Sequence, residues 1–527
     1  MALAWATASG VPTPSTLPVR GGTMTVTTEG NPDFLDPGFA YAQDSWQILA
    51  NTGDGLLAFR RTDGRAGAGL VPDLALSMPA VTDQGRTLTF FVRRGVRFSP
   101  PVNREVQASD VKATLERLFL ADSRGTQLYA NIVGAEALAR TRRGGLSGIA
   151  ADDLTGRLVI HLVRPDPAFL DALALPFAFV MPRGTPPVDQ SAKPPVATGP
   201  YYVKSYQPNR QIDLERNPNF QQWSPDIPNG DVDRILVRIG VKGSDAMSDM
   251  AAGTADYTQS RLRLRDLGRP LASGKVRAHR ETELATYYYF MNVTTPPFND
   301  VRVRRAVNYA INRRHIAALF AGEAKTTAQA LPPAIPGYRK QNPYPGPDVA
   351  RAKALIQRAG VQGARVTVWG YNTEPSPAVT TYLVDVLDRI GLHARPRFLD
   401  KDAMLKAISE RRTRAQIGYA RWQPDFPDAV DVLDLLLNGD SLHATGNLNY
   451  SYFDDPALDR QMERARIVAN PAARAAAWAH VERTVLQDAP WAPFVNSVRT
   501  DVTSTRVRGY VYHPVYGFLW MRAWLAR

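Results

Sequence analysis

One stretch near the middle of the chain limits the possible folds more than any other. Residues 287–293 are aromatic and β-branched, which predicts an extended strand, and the proline pair at 296–297 ends it because proline cannot donate to a ladder. Asp300 is placed to N-cap a helix, whose apolar residues recur at the spacing of one buried face. Asn312 is expected to begin a second short helix. The segment therefore predicts a half-buried strand that leads directly into helices.

The residues of this segment are more specific than their spacing. Residues 290–311 read FMNVTTPPFNDVRVRRAVNYAI. Three further motifs occur in order, Leu-Asp-Pro at 35–37, Gly-Pro-Tyr at 199–201 and Trp-x-x-Asp at 422–425. Together they resemble the solute-binding proteins of peptide-type ABC importers, and the resemblance covers nearly the whole chain from Thr23 onward. In that family the central run is where the chain leaves the first lobe and crosses a hinge into the second.

The resemblance implies an α/β fold of periplasmic-binding-protein type II, with two lobes joined by a hinge and an extra inserted subdomain. Short connections between strands and helices after residue 349 independently predict a parallel sheet there. The expected divisions are a leader at 1–20, a discontinuous lobe 1 at 21–58, 188–283 and 491–527, an inserted subdomain at 59–187, and lobe 2 at 284–490.

Composition excludes several classes of protein. A chain of 527 residues is expected to form two or three domains. It has no cysteine, which excludes disulfides, thiol nucleophiles and cysteine metal sites. No run approaches the roughly 18 consecutive apolar residues of a membrane helix. The net charge of +13 raises nucleic acid as a partner, but the basic residues are scattered and no binding motif accompanies them, so none is expected.

The N-terminus indicates export. It carries no charge before Arg20, and its Pro/Thr/Ser run at 11–18 is typical of a flexible leader. The Ala-Trp-Ala sequence resembles the end of a secretory signal, so we expect a trimmed export signal and a periplasmic or extracellular protein. The lipoprotein cysteine of many family members is missing, which leaves membrane tethering open.

The Trp-x-x-Asp loop is the strongest candidate for ligand binding. In peptide-binding family members its aspartate pairs with the α-amino group of the ligand, and the resemblance implies this role for Asp425, with Arg421 and Trp422 beside it. A carboxylate in a partly desolvated cleft would hold an ammonium by a charge-assisted hydrogen bond. The alternative is a loop aspartate that is solvated or that caps a helix at 429–437.

Other candidates lie where strands are expected to end. Ligands of open α/β sheets bind outside the carboxyl ends of the strands, which places Trp369, Tyr371 and Asn372 at the cleft. Tyr41 and Asp44 follow the Leu-Asp-Pro motif, whose loop faces the ligand in the family, although both also suit a plain surface loop. The full set of expected ligand-binding residues is Tyr41, Asp44, Asn292, Trp369, Tyr371, Asn372, Arg421, Trp422, Asp425 and Asn449.

The same loops indicate which ligand is expected. Dipeptide-type members hold the ligand carboxylate with an arginine before Thr380, where this chain has Trp369-Gly370-Tyr371-Asn372. Oligopeptides, or ligands without a nearby carboxylate, are therefore expected over dipeptides. The resemblance implies that a monomer without a cofactor delivers them to the permease subunits of an ABC importer.

Two alternatives stay open at this stage. The first is a non-peptide solute, such as a nickel chelate, a sugar or an opine-like compound, although His443 is the only histidine near the substrate loops and no zinc spacing occurs. The second is a peptide or ester hydrolase. Ser109 and Lys112 fit a Ser-x-x-Lys pattern, but Ser109 is equally placed to cap a helix and no partner motif follows. No catalytic or metal-binding residue is therefore assigned.

Overall fold

The computed structural model describes residues 18–260, 262 and 267–526, so most of the predicted leader lies outside the described residues. Its α-helices are α1 Gln43–Leu49, α2 Gly64–Gly67, α3 Ala108–Leu120, α4 Ala135–Thr141, α5 Phe169–Ala172, α6 Gly243–Ala252, α7 Gly268–Ala272, α8 Val301–Ala310, α9 Arg313–Leu319, α10 Val349–Ala359, α11 Ser376–Arg389, α12 Lys401–Ser409, α13 Leu433–Leu437, α14 Pro456–Arg466 and α15 Pro471–Asp488. Its strands are β1 Thr23–Thr28, β2 Leu57–Phe59, β3 Leu70–Pro72, β4 Ala80–Thr82, β5 Thr87–Phe91, β6 Ile149–Asp152, β7 Arg157–His161, β8 Tyr201–Gln207, β9 Gln211–Arg216, β10 Arg234–Ile239, β11 Tyr257–Thr258, β12 Val276–Met291, β13 Ala324–Thr326, β14 Arg365–Tyr371, β15 His393–Leu399, β16 Ile417–Trp422, β17 Trp491–Ser504, β18 Val507–Arg508, β19 Tyr512–His513, β20 Gly517–Phe518 and β21 Trp524–Leu525.

An eleven-stranded mixed sheet runs through both lobes. Its strand order is β15-β14-β16-β12-β17-β11-β1-β10-β9-β8, and β13 also pairs with β17. In lobe 1, β1 is parallel to β10 and β11, and in lobe 2, β14 is parallel to β15 and β16. The parallel arrangement predicted after residue 349 is confirmed. The antiparallel strands β12 and β17 belong to both halves and join them.

The pairing of β12 with β17 is irregular at the predicted boundary between lobe 1 and lobe 2. Thr282 lies opposite Val498, but Thr286 lies opposite Asn496, so β12 advances by four residues while β17 advances by only two. A bulge of this kind interrupts the ladder and bends the strand. Strand β12 begins eleven residues earlier than the 287–293 predicted. The prediction missed its first half because that half is rich in charged residues and shows no apolar pattern.

The residues predicted as an inserted subdomain carry a sheet of their own. Strands β4, β5, β7 and β6 form a four-stranded antiparallel sheet, next to which α3 packs on α4 and β6. This sheet shares no strand with the eleven-stranded sheet. The boundaries at residues 59 and 187 stay a prediction.

Most local expectations hold. The Asp300 carboxylate accepts the backbone N–H of Arg302 at 2.7 Å and starts α8, and Asn312 caps α9 in the same way. The predicted cap at Ser109 is wrong. Helix α3 begins at Ala108 behind a capping box of Gln107 and Asp110, and the Ser109 hydroxyl instead donates to Asp153 at 2.7 Å.

Two further features of the whole fold matter for function. Three tryptophans near the C-terminus, Trp491, Trp520 and Trp524, are buried in the core. No helix within the described ranges combines the length and the apolar character needed to cross a bilayer.

Candidate functional site

The candidate site lies at the sheet edge next to the hinge. Strand β14 ends at Tyr371 and its parallel neighbour β16 ends at Trp422, so their carboxyl ends share one edge. Trp422 lies opposite Thr286, directly beyond the bulge of β12. Asp425 follows three residues later. This edge therefore faces lobe 1, as expected of a ligand site in an α/β sheet.

Asp425 joins the two lobes. Its Oδ1 accepts a hydrogen bond of 2.8 Å from the hydroxyl of Tyr41 in lobe 1. The Tyr41 ring lies edge-on to Trp46 and tilted against Phe177, with both pairs of ring centroids 6.1 Å apart. These aromatic contacts fix the direction of the hydroxyl, so the lobes meet at the carboxylate that the sequence singled out.

Four aspartates recur at every third position from Asp425 to Asp434, and they differ in how their charge is balanced. Asp428 and Asp434 pair with arginines, at 3.0 and 3.4 Å. Asp431 is buried and accepts the backbone N–H of Asp425. Asp425 forms no ion pair with any cation among the described residues, and its Oδ2 accepts no hydrogen bond from them. Of the two aspartates in the set without an arginine partner among the described residues, Asp425 is the one that is not fully buried.

The surroundings of Asp425 favour an added cation. Burial raises the pKa of Asp425 above its ordinary value, and the hydrogen bond from Tyr41 lowers it in part. The pKa of Asp431 is raised well above its ordinary value by burial and by the neighbouring charge of Asp425. Two such carboxylates repel each other when both are ionised, and a bound cation relieves that repulsion.

The side chains of Trp422 and Arg421 contact other residues of the protein at the start of the Asp425 loop. The indole Nε1 of Trp422 donates to the backbone carbonyl of Asp431 at 2.6 Å, which ties the start of the loop to its end. The exposed guanidinium of Arg421 donates to Gln423 and lies 5.5 Å from the ring centre of Tyr287. Arg421 is thus a cation at the rim of the site.

The three candidates on β14 differ in exposure. Tyr371 is half-buried, with its ring edge-on to Tyr419 at 5.2 Å, and Asn372 beyond it is exposed. Trp369 is buried, and the guanidinium of Arg397 lies 4.4 Å above its ring. Tyr371 and Asn372 are therefore open to a ligand at this edge, whereas Trp369 supports the wall behind them.

The remaining candidates are engaged in local structure. The Asn292 side chain accepts the backbone N–H of Thr294 at 3.0 Å, and the Asn449 side chain bonds the backbone of Phe453 in both directions. Asp44 lies in the first turn of α1, where its carbonyl accepts a hydrogen bond from Gln259. The structure thus joins Tyr41, rather than these three residues, to Asp425.

Sequence reasoning missed two residues of this region. Asp431 was detectable, because the three-residue recurrence of aspartate after Asp425 is visible in the sequence. Arg397 was not, because its stacking on Trp369 depends on the register of two strands.

The structure also locates the residues of the metal and hydrolase alternatives. His443 donates its backbone N–H to Asn447 at 2.7 Å in a surface turn. Among the residues that the structure describes, no group of three His, Asp or Glu side chains is arranged to hold a metal ion.

Comparison with known proteins identifies relatives along almost the whole chain. The family sequence model "Bacterial extracellular solute-binding proteins, family 5 Middle" matches residues 69–442. Heme-binding protein A of Haemophilus influenzae is 26% identical over 92% of this chain and 88% of its own length. Glutathione-binding protein GsiB of Salmonella choleraesuis is 25% identical over 83% of each chain. The solved structure of clavulanic acid biosynthesis oligopeptide binding protein 2 has a TM-score of 0.86 at 26% identity and covers 97% of this chain and 96% of its own.

Proposed function

Because the chain belongs to the bacterial extracellular solute-binding proteins of family 5, we propose that it captures peptides with a free amino terminus between its two lobes. The lobes close about the bulge of β12, and the closed protein delivers the peptide to the membrane permease of an ABC importer. We place it in the periplasm or outside the cell and assign it no catalytic step.

One observation carries this proposal. Asp425 lies where the lobes meet and has no cation partner among the described residues, while Tyr41 holds its Oδ1 at 2.8 Å. Oδ2 is left to accept a hydrogen bond from an ammonium group, and such a charge-assisted contact is about twice as strong as one between neutral groups. A primary amine at the start of a peptide fits this position.

The rest of the site supports an extended ligand. Tyr371 and Asn372 lie at the same sheet edge as Asp425, and the loop they begin carries no arginine that would hold a carboxylate close to the amine site. A peptide longer than two residues therefore suits the cleft better than a dipeptide. Among the solutes in the relatives' names, glutathione is a peptide with a free amine and fits the same proposal.

The proposal is tested by replacing Asp425 with asparagine, which keeps its size and removes its charge. Mass spectrometry of peptides released from the denatured wild type, or retained from a defined library, first supplies the probe. We expect D425N to weaken binding of that peptide by about 1.5–3 kcal/mol in calorimetry, the range for a hydrogen bond to a charged group.

Two controls accompany this measurement. D434N removes the carboxylate in the first turn of α13, which is paired with Arg466, and it should leave peptide affinity nearly unchanged. An N-acetylated version of the peptide lacks the ammonium and should bind wild type and D425N equally. Equal affinity of D425N and wild type for the free-amine peptide would overturn the assignment, and turnover of the peptide would favour the hydrolase alternative.

A further inference from the structure

The part of the chain predicted as lobe 2 contains a cavity that none of the Asp425 loop residues lines. Its volume is about 800 Å³, and its walls are the junction of α8 and α9, strand β13 with the residues after it, and the loop at 338–347. Cavities that bind small molecules have volumes of roughly 300–1,000 Å³. The space is therefore sufficient for a ligand of its own.

The cavity wall is cationic. Arg313, Arg314 and Lys340 line it, and no aspartate or glutamate does. The buried Arg313 guanidinium is held by the carbonyl of Pro493 and by Asn308, at 2.8 and 2.9 Å, so its charge is fixed in place. The side chains of Arg314 and Lys340 are exposed and form no hydrogen bond or ion pair with any described residue.

Three of the four amide side chains of the wall are oriented so that their acceptors are occupied. The carbonyl oxygens of Asn312, Gln329 and Asn342 each accept a backbone N–H, at 3.1, 2.9 and 3.1 Å. The Asn342 amide nitrogen and the Tyr338 hydroxyl donate to no described residue. The cavity thus offers hydrogen-bond donors and few acceptors, which selects a ligand rich in acceptors.

Glu482 lies behind this wall. It is buried and bound by the backbone N–H of Leu331 at 2.9 Å and by the Gln329 amide at 3.1 Å. Burial raises its pKa to about 7, so near neutral pH a substantial fraction of it is uncharged. Arg313, whose pKa burial lowers only to about 10, stays charged, and the three cations dominate the field in the cavity.

We propose that this cavity is a second binding site, which takes a small anion bearing more than one carboxylate or phosphate group. Arg314 and Lys340 contact the anion directly, while Arg313 adds charge from behind. The site does not depend on the peptide site, because the two share no lining residue.

The test uses the full chain at low ionic strength and titrates citrate and pyrophosphate separately in a calorimeter, with glycerol as an uncharged comparison. We expect saturable binding of one citrate or one pyrophosphate per chain, and no binding of glycerol. The double variant R314Q/K340Q should bind about tenfold more weakly or worse, because two charge-assisted contacts are lost.

R339Q is the matched control for charge. Arg339 is exposed, adjacent in sequence and absent from the cavity wall, and its guanidinium contacts the carbonyl of Tyr338. It should leave anion binding unchanged, and all variants should keep the circular dichroism spectrum of the wild type.

Binding of citrate alone would identify polycarboxylates as the ligand class, and binding of pyrophosphate alone would identify phosphates. The proposal is overturned if neither anion binds saturably, or if R339Q weakens binding as much as the double variant R314Q/K340Q does.

Discussion

Asp36 and Asp425 occupy similar places in the two lobes, since each begins a loop that the sequence marks as ligand-facing, but their partners differ. Asp36 accepts two hydrogen bonds from Arg117, at 2.9 and 2.5 Å, and two from the backbone N–H groups of Gly38 and Gln190. Asp425 accepts one hydrogen bond, from Tyr41. One carboxylate is fully satisfied within the protein and the other is not.

This difference separates a structural carboxylate from one available to a ligand. Every lone-pair direction of Asp36 is used, and its charge is neutralised by an arginine that is itself buried. The Asp36 carboxylate therefore has no free lone pair with which to bind a ligand. Among the described residues, no hydrogen bond reaches Oδ2 of Asp425 and no cation pairs with its charge, so an added cation is stabilising there. We therefore infer that the aspartate of the Leu-Asp-Pro motif stabilises its own loop, whereas the aspartate of the Trp-x-x-Asp motif is available to a ligand.

The largest effect is expected from removing the partner of Asp36. R117A leaves a buried carboxylate without its cation, and we expect it to lower the free energy of unfolding by about 3–5 kcal/mol. Urea unfolding followed by tryptophan fluorescence measures this change. D425N, by contrast, removes a charge that has no cation partner and should not lower stability. A similar loss of stability in both variants would contradict the distinction between the two carboxylates.

Local structure was largely predictable from sequence, because it depends on neighbours along the chain. The caps at Asp300 and Asn312 and the buried face of α8 follow from residue type and spacing over a few positions. The error at Ser109 has the same origin, since Gln107 and Asp110 form an alternative cap two residues earlier, and nothing in the local sequence decides between them.

The candidate site was predictable only in part, because it depends on contacts between distant residues. Asp425 and Tyr41 were each singled out, by motif and by loop position. Their hydrogen bond joins residues 384 positions apart and depends on how the two lobes meet across β12 and β17. The stacking of Arg397 on Trp369 likewise follows from strand register, for which the sequence holds no short-range signal.

The second prediction concerns the pH dependence of peptide binding. In the proposed mode of binding the ammonium contacts ionised Asp425, so protonation of Asp425 would compete with the peptide. Because burial raises the pKa of Asp425, and Asp431 titrates with it as a pair, affinity should begin to fall at a higher pH than an ordinary aspartate with a pKa of about 3.9 would cause. Well below the pair's upper apparent pKa the loss should approach tenfold per pH unit, or about 1.4 kcal/mol.

Calorimetry of a free-amine peptide between neutral and acid pH measures this loss. Peptide binding should also release protons, which appears as a dependence of the binding enthalpy on the ionisation enthalpy of the buffer. In D425N, the part of the fall in peptide affinity at acid pH that is caused by protonation of Asp425 should be absent. An identical pH profile in wild type and D425N would assign the titration to another group.

The smallest expected effect comes from the lobe 1 side of the same contact. Y41F removes the hydroxyl that donates to Asp425 and keeps the ring that packs on Trp46 and Phe177. We expect peptide affinity to fall by about 0.5–1.5 kcal/mol, the net value of one hydrogen bond. Because the Tyr41 hydrogen bond lowers the pKa of Asp425, its loss should also move the acid limb of binding to higher pH. An unchanged affinity with an unmoved acid limb would mean that Tyr41 acts by packing alone, and the contrast between a satisfied Asp36 and an open Asp425 would then rest on lobe 2 without help from lobe 1.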